Sequence, residues 1–454
     1  MTDDPTAAIT ELLSQLIRNA CVNDGTPESG QEHRNVAVLE DVLAGPGLTL
    51  EKFEPLPGRQ SLVARIEGSD PTAPTLVLLG HTDVVPANPD GWQRDPYGGE
   101  VVDGVVWGRG AVDMLNLTGS MALATRRLAD RGWRPRGTLV FVAVADEEAM
   151  GDHGAGWLTS QEWDAVGGDY VLTESGGVPV PTPAGPRLHV TVGEKGAMWA
   201  KLRVRGTPGH GSRPLRTDNA LVTAARLVDR LATFRGPTVI SDAWRRYVEG
   251  MAFEPDLAAA LVDPARLDDL VDTLPPLDVA RNAHACTHTT FAPTVLHGGT
   301  KVNIIPDLVD LDVDIRALPG QGTGDVRELL GQIIGPDLAD RVEVLSVKDD
   351  PGTVSDVDTP LWDVLTRVSA QLADGAACVP AVTPGATDAR YYRRHGATAY
   401  GFGLFSHRMS MGQFSAMFHG NDERVDVDSL RLTVAAWEAI ALDLLGARPG
   451  EGRG

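Results

Sequence analysis

The sequence predicts an α/β protein, a mostly parallel sheet covered by helices and interrupted by an inserted α+β unit. Three observations predict it. Apolar strand-like runs alternate with amphipathic helical runs up to about residue 188, as expected of strand–helix–strand units. Acidic motifs stand where each of those strands ends, the edge at which parallel sheets collect ligands. Near residue 189 the pattern changes to alternating strands, and from about residue 349 it returns to helix–strand–helix. At 454 residues the chain exceeds one ordinary core, so two domains are expected.

Residues 6–20 read as an amphipathic helix, and HRNVAVLEDVLA as a second. TLVLLGHTDVV is a buried strand ending at His81 and Asp83. WRPRGTLVFVAVADEE is another, ending at Glu147 and Glu148, and GGDYVLTESGG a third, ending at Glu174. Between the first two, LNLTGSMALATRRLADRG has helical apolar spacing and a glycine stop. From residue 189, LHVTVGEKGAMWAKLRVRGTPG reads as strands with a turn and NALVTAARLVDRLATF as a helix. TKVNIIPDLVDLDVDIRAL reads as a strand pair and TGDVRELLGQII as another helix. Residues 240–282, rich in acid and proline, form an excursion within this insertion. The last part, TPLWDVLTRVSAQLA through DSLRLTVAAWEAIALDLL, carries His419. The expected organisation is therefore a discontinuous domain of residues 1–188 and 349–454, with residues 189–348 inserted.

Composition narrows the function classes. A formal charge of −22 opposes binding to nucleic acid or an anionic membrane through a basic surface. No run approaches the roughly 18 uninterrupted apolar residues of a membrane span. The three cysteines, Cys21, Cys286 and Cys378, are far apart and odd in number, which suits a reducing compartment. The acidic N-terminus lacks the basic and apolar regions of a secretion signal. A cytoplasmic location is the expectation.

Five side chains of metal-ligand type stand in separate contexts: His81, Asp113, Glu148, Glu174 and His419. His81 and Asp83, two apart at a strand end, face the same way. Asp83 is thus placed to accept the second ring N–H of His81 and fix its tautomer, although a His–Asp pair in a turn needs no ion. Asp113 follows the glycine-rich GRGAV and opens a helix, where a capping role is the alternative. Glu147 and Glu148 repel each other at a strand end unless a cation or a shared proton compensates, or unless both are simply solvated. Two histidines and three carboxylates hold two zinc-like ions if one carboxylate bridges them. Glu147 is then left beside a ligand, where it can handle the proton of an attacking water. A rival group, His284, Cys286 and His288, would share a face of a strand, but no fourth ligand accompanies it.

GHTDVVP, GRGAVDM, DEE, TES, GTPGHGS, VNIIP and HGNDER, in that order and spread over nearly the whole chain, resemble the M20 family of zinc metallopeptidases and amidohydrolases. The resemblance implies a doubly wound, zinc-aminopeptidase-like catalytic domain with an inserted lid that dimerises through its sheet edge and helices. It makes Asp113 the bridging ligand, with His81 and Glu174 completing one site and Glu148 and His419 the other. The ions would be two divalent metals, zinc first, with cobalt or manganese as alternatives. Glu147 becomes general base and then general acid. His210 is expected to reach a partner subunit's site, and Asn303 to contact substrate. Arg316 is expected to grip a substrate carboxylate, a task its guanidinium fork suits. Gly385 and Thr387, in PGATDAR, match the loop near that carboxylate. Leu115 departs from the family, which usually has lysine there.

The implied activity is hydrolysis of the amide bond of small N-acyl amino acids or dipeptides carrying a free carboxylate. A biosynthetic N-succinyl or N-acetyl deacylase of the diaminopimelate or ornithine type is the alternative. A dimeric binding pseudoenzyme is a third reading, opposed by the complete ligand set and by Glu147. The expected partners are the small amide or dipeptide and a second copy of the chain, with no nucleic acid and no membrane.

Overall fold

The structure is a computed structural model and describes residues 4–275 and 277–446. Its central element is a ten-stranded sheet. The neighbours run in the order Thr49–Leu56, Arg59–Ile66, Thr138–Val144, Thr75–His81, Tyr170–Thr173, Thr398–Gly401, Arg187–Glu194 and Thr353–Val354. Ala377–Thr383 and Gly176–Val180 also pair with Arg187–Glu194. The four strands from Thr138–Val144 to Thr398–Gly401 run parallel, as does the pair formed by Ala377–Thr383 and Arg187–Glu194. The remaining pairings at the sheet's edges are antiparallel.

The parallel strands are apolar on both faces because both faces are covered. Leu76 and Leu78 point into a core shared with the helices Thr6–Arg18, Leu115–Asp130 and Val427–Leu445. Val77 and Leu79 point the opposite way, toward Ala155–Gln161, Trp163–Val166 and Ala389–Arg394. Leu115–Asp130 is buried along nearly its whole length. A Cβ at Gly119 would lie 3.4–3.6 Å from Leu16, Ile9 and Leu12, which is ordinary packing distance. Trp437, fully buried, donates from its indole to Ser120 Oγ at 2.9 Å and ties the last helix to this one. Each such buried large side chain contributes about 1.5–3 kcal/mol.

The second unit is a five-stranded antiparallel sheet. Its path is Gly196–Ala197, Leu308–Ala317, Ala200–Arg205 and Val342–Val347, with Thr290–Gly298 on the outer side of Leu308–Ala317. One face carries Leu202, Val204, Leu311 and Val313 against the helices Ala220–Thr233 and Thr323–Leu338. The other carries ion pairs such as Arg203–Asp310 at 2.8 Å and Lys201–Asp312 at 3.3 Å. This alternation of apolar and charged residues is the period-2 pattern of a sheet with one wet face.

Three expectations need correction. The strand Arg187–Glu194 belongs to the central sheet, where it pairs in parallel with Ala377–Thr383 along its length with one register shift, so the chain crosses into the insertion near Lys195 and not at 189. The return crossing lies between Val347 and Thr353, close to the expected 349. The segment from residue 240 does not sit on the inserted sheet. Its helix Asp242–Gly250 packs on Ala377–Thr383, and Trp244, Val248, Leu261, Leu267, Ala283 and Cys286 form a small core of their own. Finally, His284, Cys286 and His288 are at the end of the helix Leu277–Thr287, not on a strand. A helix spaces His284 and His288 one turn apart, and their rings stack at 4.5 Å. Among the described residues no helix is long and apolar enough to cross a membrane.

Candidate metal centre

The site forms where the central strands end. Thr75–His81 ends at His81, the strand Thr138–Val144 leads into the short helical turn Glu147–Ala149, and Tyr170–Thr173 runs into Glu174. Gly80 has to be glycine. A Cβ there would lie 2.4 Å from Thr118 Oγ1, the hydroxyl that donates to the His81 carbonyl at 2.7 Å. Asp113 arrives from the loop before Leu115–Asp130, and His419 from the loop after the helix Met411–Met417.

Asp113 stands between two groups. Its Oδ1 lies 3.3 Å from His81 Nε2, and Glu174 Oε2 lies 4.0 Å from the same nitrogen. Its Oδ2 lies 3.4 Å from His419 Nε2, which is also 3.3 Å from Glu148 Oε2. Each trio, His81–Asp113–Glu174 and Asp113–Glu148–His419, offers ligand atoms within 4.8 Å of one another. His81, Asp113 and Glu174 are buried, whereas the His419 side chain is 60% exposed, so the centre opens on that side.

The donors fit a pair of cations. Glu148 Oε1 is buried with no hydrogen-bond partner, which is costly for an acidic oxygen unless something positive meets it. Burial pushes the carboxyls of Glu147 and Glu174 well above the usual range. The charge of His81 opposes this in both, while neighbouring acids, Asp388 at Glu147 and Asp113 at Glu174 foremost, add to it. Glu148 is raised as well, by burial and by Asp113. His419 is pushed up to about 10 by its hydrogen bonds to Asp113 and Glu148. Burial opposes the charged form of His81, but its hydrogen bond to Asp113 and the charges of Glu147, Glu174 and Asp83 outweigh that. So much buried acid around two imidazoles suits a cation by charge balance.

The His81 tautomer is set differently from the expectation. Nδ1 meets the backbone carbonyl of Asp83 at 2.9 Å, while the Asp83 carboxylate is 3.6 Å away. Since a carbonyl only accepts, Nδ1 carries the proton and Nε2 is left as a ligand. The Asp83 carboxylate instead accepts from the backbone N–H groups of Glu147 at 3.2 Å and Glu148 at 3.1 Å, and so holds the turn that presents both acids.

His210 and Asn303 are brought together, since Gly209–His210 pairs with Ile304–Ile305 and Gly211 donates to the Asn303 carbonyl at 2.8 Å. His210 is exposed there, its Nδ1 accepting from Ser212. Arg316 faces Asp314 through Nε at 2.8 Å and a second nitrogen at 3.2 Å. Gly385 is exposed on its loop. Thr387 departs from the expectation of a substrate contact, because it is buried and gives both its N–H and its hydroxyl to Glu194 Oε2, at 3.1 and 2.6 Å. Next to it, Asp388 is buried with neither oxygen hydrogen-bonded and with Arg390 4.0 Å away, and burial lifts its carboxyl to about 7. For His284, Cys286 and His288 there is no ligand grouping among the described residues, and His288 Nε2 faces Asp268 at 3.0 Å.

Two supports escaped the sequence reading. Glu423 is fully buried and gathers the Asp113 loop, accepting from Val112 N–H at 2.7 Å, Asp113 N–H at 3.0 Å, Gly110 N–H at 3.0 Å and Arg109 at 2.9 Å. It lies in the HGNDER motif, but nothing in the spacing singles it out. Behind Asp83, Asn23 donates to its carboxylate at 2.8 Å, Arg59 donates to Asn23 at 3.0 Å and to Glu32 at 2.7 Å, and all four are buried. No local signal marks Glu32 or Arg59, which lie in ordinary-looking loop and strand sequence.

The chain is similar to known proteins over most of its length. The chain is 28% identical to the N-fatty-acyl-amino acid synthase/hydrolase PM20D1 of Xenopus tropicalis over 386 residues, covering 83% of this chain and 74% of that protein. It is 27% identical to aminoacylase-1 of Sus scrofa over 395 residues, covering 86% and 84%. Among solved structures, an M20 family metallo-carboxypeptidase, Sso-CP2 from Sulfolobus solfataricus, has the same fold. Its TM-score is 0.72 at 17% identity, covering 98% of this chain and 99% of that one. Because the model of peptidase family M20/M25/M40 matches residues 77–443, more than half of its length, this chain belongs to that family of metal-dependent hydrolases and is an enzyme.

Proposed function

We propose that the protein hydrolyses the amide bond of small N-acyl amino acids or dipeptides that carry a free carboxylate. One observation carries the reading. The two oxygens of Asp113 face two different histidines, at 3.3 and 3.4 Å, and each histidine has its own glutamate. His81, Asp113 and Glu174 would hold one divalent ion, and Asp113, Glu148 and His419 the other. Zinc is the first choice, since imidazole and carboxylate donors suit it. When bound, the ions polarise the scissile carbonyl and acidify the attacking water.

The chain's own groups do the rest. Glu147, whose carboxylate is made more basic by its buried setting, takes the proton of that water and passes it to the leaving amine. Asp83 holds Glu147 in place through the backbone. Arg316 exchanges Asp314 for the substrate carboxylate, a swap between like partners that costs little solvation. His210 and Asn303 act from the inserted unit of a second copy. The strand Thr290–Gly298, paired on one side only among the described residues and showing Val295 and Leu296 to solvent, supports edge-to-edge association of two chains.

The test is release of free amine by zinc-loaded protein from N-acyl amino acids, dipeptides and an N-succinyl substrate, beside matched carboxamides. Cleavage confined to free carboxylates is expected, with loss on chelation and recovery on adding zinc. Equal cleavage of the carboxamides would remove the carboxylate clamp. Turnover of the succinylated compound alone would move the assignment to a biosynthetic deacylase.

A further inference from the structure

A chamber of about 560 Å³ lies under the helices Asp242–Gly250 and Leu277–Thr287, floored by the strands Gly176–Val180, Arg187–Glu194 and Ala377–Thr383. Protein interiors pack as densely as organic crystals, and even an engineered void of about 150 Å³ is large for one. A space of this size is not a packing defect. It is the size of a ligand site.

Its walls connect it to the metal centre. Ser175, Pro384 and Phe418 line it, and they are the chain neighbours of Glu174, Gly385 and His419 respectively. The loops that carry two ligands and the expected carboxylate contact therefore also bound the chamber. Elsewhere the lining is mainly apolar and aromatic, with Val178, Met251 and Phe414 prominent, and its uncharged polar members are Thr191, Asn282, Thr383 and Ser415. Among the described residues no arginine or lysine lines it, and the one acid, Asp278, is exposed. His189 is the single ionisable group set within the floor. Burial pushes its pKa down to about 4, so its ring is uncharged at neutral pH.

The walls are built to stay open. Trp244 stacks on Tyr247 at 5.1 Å between ring centres and donates to the Leu261 carbonyl at 2.8 Å. The helix that carries both is capped by Ser241, whose hydroxyl accepts from Trp244 N–H at 3.1 Å. Across the chamber, Phe414 packs edge-on against Phe405 and Phe418, at 5.2 and 4.8 Å. A roof with its own small core cannot collapse into the space without breaking these contacts.

We infer that this chamber binds an extended, uncharged hydrocarbon group of the amide substrate, so that the enzyme selects substrates with a long apolar tail on one side of the scissile bond. The inference rests on the amide-hydrolase reading for its chemistry. A wall without a cation cannot hold the substrate carboxylate, which therefore lies outside, and the tail that enters is the acyl chain or an apolar amino-acid side chain.

The experiment compares kcat/KM of the zinc-loaded protein on two series. One is N-acetyl, N-butyryl, N-octanoyl and N-dodecanoyl forms of a single amino acid; the other is N-acetyl forms of alanine, leucine and phenylalanine. The expected result is a rise of about threefold to fourfold per added methylene, the equivalent of about 0.8 kcal/mol, in one series until the chamber is full. The series that shows the rise names the source of the tail. Ala381→Phe and Ala243→Phe, which fill the chamber from opposite walls, should abolish the rise while leaving the N-acetylalanine rate within a few-fold. A flat profile in both series, or a rise that survives both substitutions, would overturn the inference while leaving the hydrolase reading intact. If no amide is cleaved, the hydrolase reading fails. Calorimetric binding of N-dodecanoylglycine against N-acetylglycine then decides the chamber alone: tighter binding of the long compound, lost in Ala381→Phe, upholds it, and equal binding overturns it.

Discussion

Asp113, Glu147 and Glu423 show how differently single residues contribute to one centre. Glu147 touches the reacting atoms in the proposed chemistry, so Glu147→Gln should keep the ions and lose about 10²- to 10⁴-fold in kcat. Metal content by mass spectrometry, read beside the rate, checks this. Glu423 acts only through the loop it gathers. In Glu423→Gln one oxygen becomes an NH₂ group facing N–H donors, which leaves those donors unmatched at about 1–3 kcal/mol each. Metal affinity should fall about 10- to 100-fold with a lower melting temperature, and an unchanged affinity would remove Glu423 from the account. His81, Glu148 and Glu174 were legible in the sequence because each ends an apolar strand-like run, whereas Asp113 and His419 were legible through the order of the motifs. Glu423 was not, because its role depends on backbone N–H groups more than 300 positions away. The role given to the Asp83 side chain was misread for a related reason, since the acceptor for His81 is that residue's own carbonyl.

Among the elements, the strand Arg187–Glu194 carries the most. It pairs with Ala377–Thr383 from the far side of the insertion, holds Glu194 for Thr387 and Arg393, and floors the chamber with His189. His189 has its folded pKa below its ordinary value, so its contribution to stability is complete above about 6.5 and is lost as the pH falls through about 4. His189→Leu should therefore gain stability relative to the parent protein as the pH drops across that window. The gain should approach about 3 kcal/mol at the acid end, at about 1.4 kcal/mol per pH unit, and thermal melts at matched pH read it. The sequence places this strand in the insertion because its alternation matches that of Ala200–Arg205, and only the distant partner assigns it to the central sheet. His284, Cys286 and His288 misled in the same way. They close a helix that runs into the strand starting at Thr290, and the strand's β-branched character extends back over them in the sequence.

For the molecule as a whole, two units meet near Lys195. Its ammonium is buried and donates to the His288 carbonyl at 2.7 Å, and burial lowers its pKa to about 7. His210 lies exposed on the ribbon of the inserted unit, which suits work across a subunit boundary. Mixing His210→Ala chains with Glu147→Ala chains should restore roughly a quarter of the parent activity, because half the dimers are mixed and each has one complete site. No recovery after verified subunit exchange would count against action between copies. The α/β class and the presence of an insertion were legible from the order of the elements. The helical roof over the chamber was not, because residues 240–282 give short helical signals that say nothing of the sheet they cover.

Two cation sites sharing the Asp113 carboxylate underlie the proposed chemistry, and ion stoichiometry tests them most directly. Equilibrium dialysis against zinc should give two ions per chain for the parent protein, one for His419→Ala and none held tightly by Asp113→Ala, with folding confirmed by circular dichroism. An Asp113→Ala protein that keeps two ions, or a parent protein that takes only one, would contradict the account.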